Sequence, residues 1–74
     1  MIQELERVVL TTDLHQYGLR SGDIGTVVLV HQRGAGYEVE FITLDGETIA
    51  VVTLYASQVR AIQQGEIAHV RAVA

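Results

Sequence analysis

The sequence predicts an all-β domain of five short strands, and three observations support that class. Runs of β-branched and aromatic residues, which are typical of strands, recur along the chain. Glycine and aspartate stand between these runs at the positions of turns, and the chain contains no proline. Its 74 residues, 49% of them hydrophobic, provide one packed core but leave no room for a second domain.

The first two strands are predicted on either side of a long loop. Residues 5–11 are apolar and β-branched enough for a first strand. The loop over residues 12–23 is long for a compact domain, and such loops are either functional or packed by their own side chains. The side chains expected to provide that packing are Leu14, Tyr17 and Leu19. Residues 25–31 carry a continuous β-favouring run and form the clearest strand.

A hairpin and an alternating strand follow. Gly34 and Gly36 permit positive φ, which predicts a hairpin loop over residues 32–36. The next strand covers residues 37–41, where apolar and acidic residues alternate. This period of two places the apolar side chains in the core and both glutamates in water.

The remaining elements complete the sheet. The dipeptide Asp45-Gly46 favours a tight type I′ turn before a strand over residues 48–54. Residues 55–58 suit one 3₁₀ turn ahead of a last strand over residues 59–62. Five strands of this length favour a small, partly open barrel of the SH3-like type, because such a barrel removes most exposed edges.

The chain is expected to divide into a barrel and a short extension. The barrel covers residues 1–62 and the C-terminal extension covers residues 63–74. Gly65 interrupts the extension, and the apolar residues after it recur at three-residue steps, which is weakly helical. We therefore expect either a helical turn or an extended arm there.

Residues 18–28, with the sequence G-L-R-S-G-D-I-G-T-V-V, carry a resemblance to a known family. They resemble the G-L-x-x-G-D-x-G-T-V-V opening of a small bacterial family of domains of unknown function. Residues 37–41, the Asp45-Gly46 turn and residues 51–54 also match that pattern. Some members of the family are encoded beside putative toxins, so the resemblance implies an antitoxin or immunity role.

Residues 22–27 are also similar to the openings of other SH3-like barrels. These include small photosystem I accessory subunits, the nitrile hydratase β-subunit fold and modules of the KOW type. Such relatives bind other molecules without being catalytic by themselves, so this resemblance implies a binding role. From the residues themselves, Gly22 and Gly25 suit a turn entering a strand, and Asp23 is expected to accept hydrogen bonds from nearby backbone amides. A phosphate-binding loop is disfavoured because a strand, not a helix, follows.

No pattern of catalytic or metal-binding residues stands out in the sequence. Cysteine is absent, and His15, His31 and His69 lack the spacing of a zinc site. Glu38 and Glu40 are expected ~7 Å apart on an open strand face with no pocket to raise a pKa. Neither serine lies in a nucleophile elbow. We therefore expect a protein that is not an enzyme and that uses no cofactor and no metal.

Two predicted strands are apolar on both faces, residues 25–31 and residues 48–54. A strand with one face in water alternates apolar and polar side chains, so both faces are expected to be covered. The cover is either the tail or long loop of the same chain, or a protein partner or second copy. The predicted partner surface comprises Val28, Val30, Ile49, Val51 and Tyr55, with Arg33 and Arg60 as rim anchors. An acidic rim suited to an arginine-rich partner would comprise Glu38, Glu40, Asp45 and Glu47.

The charge balance favours a protein partner over nucleic acid. The chain has nine acidic and five basic residues, and every basic residue is an arginine. We expect binding to a neighbouring gene product or self-association. The alternatives are a nucleic-acid-binding KOW-like barrel, with phosphate contacts from Arg20, Arg33 and Arg60, and a structural homo-oligomer without ligand. No apolar run reaches the ~20 residues of a membrane span, and the first residues do not resemble a secretory leader, so we expect a cytoplasmic protein.

Overall fold

The computed structural model describes residues 1–73, which form five strands and two 3₁₀ turns. The strands are β1 (Arg7–Leu10), β2 (Ile24–His31), β3 (Gly36–Ile42), β4 (Thr48–Tyr55) and β5 (Val59–Ala61). One 3₁₀ turn, His15–Tyr17, lies in the loop after β1, and the other, Ala56–Gln58, joins β4 to β5. The predicted all-β class and the predicted five strands are confirmed.

The strands form one antiparallel sheet in the order β4-β3-β2-β1-β5. Consecutive hairpins join β2, β3 and β4, whereas β1 lies between β2 and β5. Within the described residues no ladder joins β4 to β5, so hydrogen bonds do not close the sheet on itself. This arrangement is consistent with the partly open form that the sequence predicts.

One hydrophobic core lies on the inner face of the sheet. In β3 the predicted alternation is confirmed, because Tyr37, Val39 and Phe41 are buried and the two glutamates between them face outward. The long loop contributes Leu14 and Leu19, whose backbones pair with each other across the 3₁₀ turn. Tyr17 lies within that turn and is 41% exposed, so the prediction that it packs the loop is wrong. The fully buried side chains are Leu10, Val8, Val27 and Val39.

Two β-bulges change which side chains of β2 and β4 face the core. In β2 the register shifts after Val27, so that Val28 and Leu29 both oppose one residue of β3. Alternation then resumes in the opposite phase, and Val30 packs against the core. In β4 a second shift places Ile49 beside the core as well. The prediction that Val30 and Ile49 lie on the outer face is therefore wrong.

The β3–β4 turn differs from the predicted geometry, whereas the β2–β3 loop matches its prediction in part. Gly46 N–H donates to Thr43 O at 2.9 Å, and in that loop only Gly46 has positive φ, so the turn is not type I′. In the other hairpin Gly34 has positive φ, of 100°, as the sequence predicts, and Gln32 and Arg33 also adopt positive φ, of 47° and 59°. Gly36 is extended, and it is glycine because a Cβ there would lie 3.1 Å from a backbone oxygen of β4.

Gly25 is required by close packing at the start of β2. A Cβ on this residue would lie 2.5 Å from Val39 Cγ1, 2.9 Å from Phe41 Cε1 and 3.0 Å from Glu40 O. Val39 and Phe41 are both buried core residues. The glycine therefore lets β3 approach β2 closely and allows the phenyl ring to lie over the backbone.

Candidate functional site

On the outer face, the face of the sheet opposite the core, four large apolar side chains of the β2 bulge and of β4 remain exposed. Val28 is 40% exposed, Leu29 44%, Val51 53% and Tyr55 75%. Val28 and Leu29 belong to the bulge in β2, and the other two lie on β4. We call these four residues the outer-face patch. Its exposure is unusual because a small domain normally buries side chains of this size or keeps them isolated.

The structure brings together some of the predicted partner residues and separates others. Val28, Val51 and Tyr55 lie on the outer-face patch, and Arg33 is exposed in the turn that follows β2. Arg60 lies on β5, at the opposite end of the strand order from β4. Leu29 was not predicted, because its outward position depends on the β2 bulge, which leaves no signal in the sequence.

A polar network lies between the two apolar strands of the patch. Thr53 Oγ1 donates to Glu38 Oε2 at 2.6 Å, and His31 Nε2 lies 2.6 Å from the same oxygen. The hydrogen bonds from Thr53 and His31 hold the pKa of Glu38 below its ordinary value. Glu40 accepts a further hydrogen bond of 3.0 Å from the Thr48 hydroxyl. The predicted pair of carboxylates is thus fixed by cross-strand contacts and lies in the middle of the outer face.

Two arginine–carboxylate pairs hold the C-terminal tail, residues 62–73, against the sheet. Arg60 Nη1 and Nη2 donate to the two oxygens of Glu66 at 2.8 and 2.6 Å. Arg71 donates to both oxygens of Asp23 and, at 3.0 Å, to the carbonyl of Gly18. The tail has no helix or strand, and its Ile67 is 94% exposed. Charged hydrogen bonds therefore contribute to its position.

The same pairs change the acidity of the carboxylates. The hydrogen bonds from Arg60 lower the pKa of Glu66 to about 2. Partial burial alone would raise the pKa of Asp23, but hydrogen bonds from Arg71 and from the Arg20 N–H, with the charge of both arginines, outweigh it and lower that pKa. Asp23 thus accepts the backbone hydrogen bond that the sequence predicts, from Arg20 at 2.8 Å. Its pairing with Arg71, 48 residues away, was not predicted.

A groove of about 480 Å³ lies between the tail and the β3–β4 hairpin. Apolar side chains form most of it, including Ile24, Phe41 and Leu44. The polar groups at its border are mostly engaged, because Asp23 and Arg71 bond to each other and Asp45 accepts from the Thr43 hydroxyl. The groove can hold an apolar group.

Residues 1–73 bring no three His, Asp or Glu side chains together in a way that could hold a metal ion. The same part of the chain contains no helix with the length and apolar character needed to cross a membrane.

The chain belongs to a family whose activity is not assigned. The model of the family described as Domain of unknown function (DUF4926) matches residues 4–61, which run from just before β1 to the end of β5. This confirms the resemblance to a small family of domains of unknown function. No curated protein and no solved structure matches the chain.

Proposed function

We propose that this domain is a non-catalytic protein-binding module that binds its partner through the outer-face patch. One observation carries the proposal: Val28, Leu29, Val51 and Tyr55 stay exposed although the tail is docked on the sheet. Complete burial of a large apolar side chain contributes ~1.5–3 kcal/mol, and the exposed part of each patch residue leaves a share of that gain for a partner to supply.

The polar groups around the patch indicate the chemistry of the partner. Glu38 and Glu40 lie between the two apolar strands and give the surface an acidic centre. A partner with apolar side chains flanked by arginine or lysine would match both features. A neutralising role toward a neighbouring gene product, as the family resemblance implies, would use such a surface against a basic protein. Location in the cytoplasm is part of this proposal.

A matched pair of variants tests the proposal. Leu29 and Ile62 are both 44% exposed, but only Leu29 belongs to the patch. The chain is coexpressed with the tagged product of the adjacent gene, and the recovered complex is quantified for the wild type, Leu29→Glu and Ile62→Glu. We expect Leu29→Glu to lose the complex and Ile62→Glu to retain it. Equal recovery of both variants, each folded by circular dichroism, would show that the patch is not the binding surface.

The second candidate, nucleic-acid binding, has less support from the structure. Of the three arginines assigned to it, Arg60 is engaged by both oxygens of Glu66. The outer face carries glutamates at its centre, and like charge repels phosphate. A mobility shift at low salt would favour this candidate, and the absence of any shift would remove it.

A further inference from the structure

The free edge of β4 has the properties that sheets normally avoid at an edge. β4 ends the strand order, and within the described chain no strand pairs with its outer side. It is eight residues long and contains no charged residue and no proline. The opposite edge, β5, has three residues, and one of them is charged. Edges like β5 resist pairing, whereas a long uncharged edge accepts another strand.

The hydrogen bonds between β3 and β4 identify which backbone groups face this edge. Ala56 N–H donates to Ala35 O at 3.1 Å, which makes these two residues a hydrogen-bonded pair. Because such pairs alternate along an antiparallel ladder, the N–H and C=O groups of Val51, Thr53 and Tyr55 point away from β3. The Tyr55 N–H is already engaged, since it donates to Gln58 Oε1 at 2.8 Å. Val51 and Thr53 therefore present the N–H groups that remain open to a new strand.

The geometry points to a second copy of this chain as the occupant of the edge, with the two β4 strands antiparallel about a two-fold axis at Val52. In that register Val51 of each copy pairs with Thr53 of the other, and each pair exchanges two hydrogen bonds. Every open N–H and C=O of Val51 and Thr53 then has a partner, and Tyr55 keeps its bond to Gln58. Shifting the axis to Thr53 would instead require the occupied Tyr55 N–H.

Charge and side-chain chemistry also suit a second copy. The chain carries a net charge of −4, but β4 itself is uncharged, so the two edges meet without like-charge contact. The two glutamates of the outer face lie on β3, and three strand spacings, roughly 14 Å, separate them from their symmetry mates. That separation exceeds the Debye length of about 8 Å at physiological salt. The facing side chains, valine against threonine, are both β-branched, which favours cross-strand packing.

The pairing joins two sheets into one and extends the outer face across the two-fold axis. Val51 of both copies then lies near the centre of a surface that contains two outer-face patches. Because few residues take part, the buried area falls at the low end of specific interfaces. A reversible dimer that forms with rising concentration is therefore expected.

Cysteine pairing tests the register directly, because the chain has no cysteine of its own. Paired residues at a hydrogen-bonded site have Cα atoms about 5.5 Å apart, within the range of a disulfide. A mass-tagged Val51→Cys chain is mixed with untagged Thr53→Cys and mildly oxidised. We expect the mixed disulfide to exceed by about tenfold the product of a control mixture of Val51→Cys with Ala61→Cys, whose cysteine lies on the β5 edge.

Two further results decide the matter. Sedimentation of the wild type should show a monomer–dimer equilibrium. Val51→Lys should raise the concentration needed for dimerisation by about tenfold, because a charged edge residue opposes strand addition. Mixed disulfide at the control level, or Thr53→Cys linking to itself in preference to Val51→Cys, would overturn the proposed pairing. These results leave the partner-binding test at Leu29 unaffected, since Leu29 lies on β2.

Discussion

Replacing Gly25 with alanine tests the packing that brings β2 and β3 together. The added Cβ would lie 2.5 Å from Val39 Cγ1, whereas carbon atoms pack best at about 3.5–4.0 Å. Movement of more than about 1 Å is therefore needed, and the second and third neighbours, Phe41 and the Glu40 carbonyl, restrict it. Neither the buried ring nor the strand backbone can shift without disturbing the core.

We expect Gly25→Ala to lower the free energy of unfolding by about 3 kcal/mol, the upper end of the usual cost of overpacking. The total free energy of unfolding of a domain of this size is roughly 4–11 kcal/mol. Because each 1 kcal/mol shifts the midpoint of thermal unfolding of a small domain by roughly 4–8 °C, that midpoint should fall by roughly 12–24 °C. Urea and thermal unfolding followed by circular dichroism measure both quantities. The control is Gly46→Ala, where φ is +94° and no atom lies within 4 Å of the added Cβ, so only backbone strain of about 1–2 kcal/mol applies.

A double variant separates steric crowding from any other effect of the added methyl group. Val39→Ala removes the atom nearest to the new Cβ, so in the Gly25→Ala background it should cost less than it costs alone. Strict additivity, or a loss for Gly25→Ala no larger than the loss for Gly46→Ala, would refute the packing argument.

Three further predictions concern the tail, the β2 bulge and the first hairpin. Docking of the tail lowers the pKa of Asp23 and of Glu66, so these carboxylates stabilise the docked tail fully at pH values above their ordinary pKa. This stabilisation is lost as the pH falls through the lowered pKa values. An NMR titration of the tail amides should therefore show release of the tail in acid and no release between pH 6 and 8. In urea unfolding, Val30→Thr should lower the free energy of unfolding by about 1–2 kcal/mol, because Val30 packs against the core. Val28→Thr should lower it by less than about 0.5 kcal/mol, because Val28 is exposed. The reverse order would contradict the bulge assignment. Arg33→Gly should raise the free energy of unfolding by about 0.5 kcal/mol, because glycine adopts the φ of 59° without steric strain, although it also gives the unfolded chain more conformational entropy. A clear fall in the midpoint of thermal unfolding would contradict this.

The sequence was sufficient to predict which side chains are buried where a strand runs without a bulge. In β3 the alternation of Tyr37, Val39 and Phe41 with two glutamates predicts correctly which side chains are buried. The 3₁₀ turn between β4 and β5 was also predicted at its position, because the segment is too short and polar for a strand. In these segments the local pattern and the tertiary structure require the same arrangement.

The sequence was not sufficient to predict which face a side chain takes where a β-bulge adds one residue to a strand. A bulge inverts the phase of everything beyond it, so the run from Val27 to Val30 appears apolar on both faces although Val27 and Val30 both face the core. Part of the apparent apolar surplus is therefore a consequence of register. The pairing of Arg71 with Asp23 was equally hidden, because it depends on how the tail crosses the sheet.

The position of the tail bears on one of the covers that the sequence left open for the remaining surplus. If the tail covered the outer face, Val28 and Val51 would be buried by it. Instead Arg71 fixes the tail at Asp23 and Gly18, beside the start of β2, and both valines remain exposed. Charged hydrogen bonds thus hold the tail beside the start of β2, where it leaves both valines uncovered. That exposure supports the proposed binding of another protein chain at the outer-face patch.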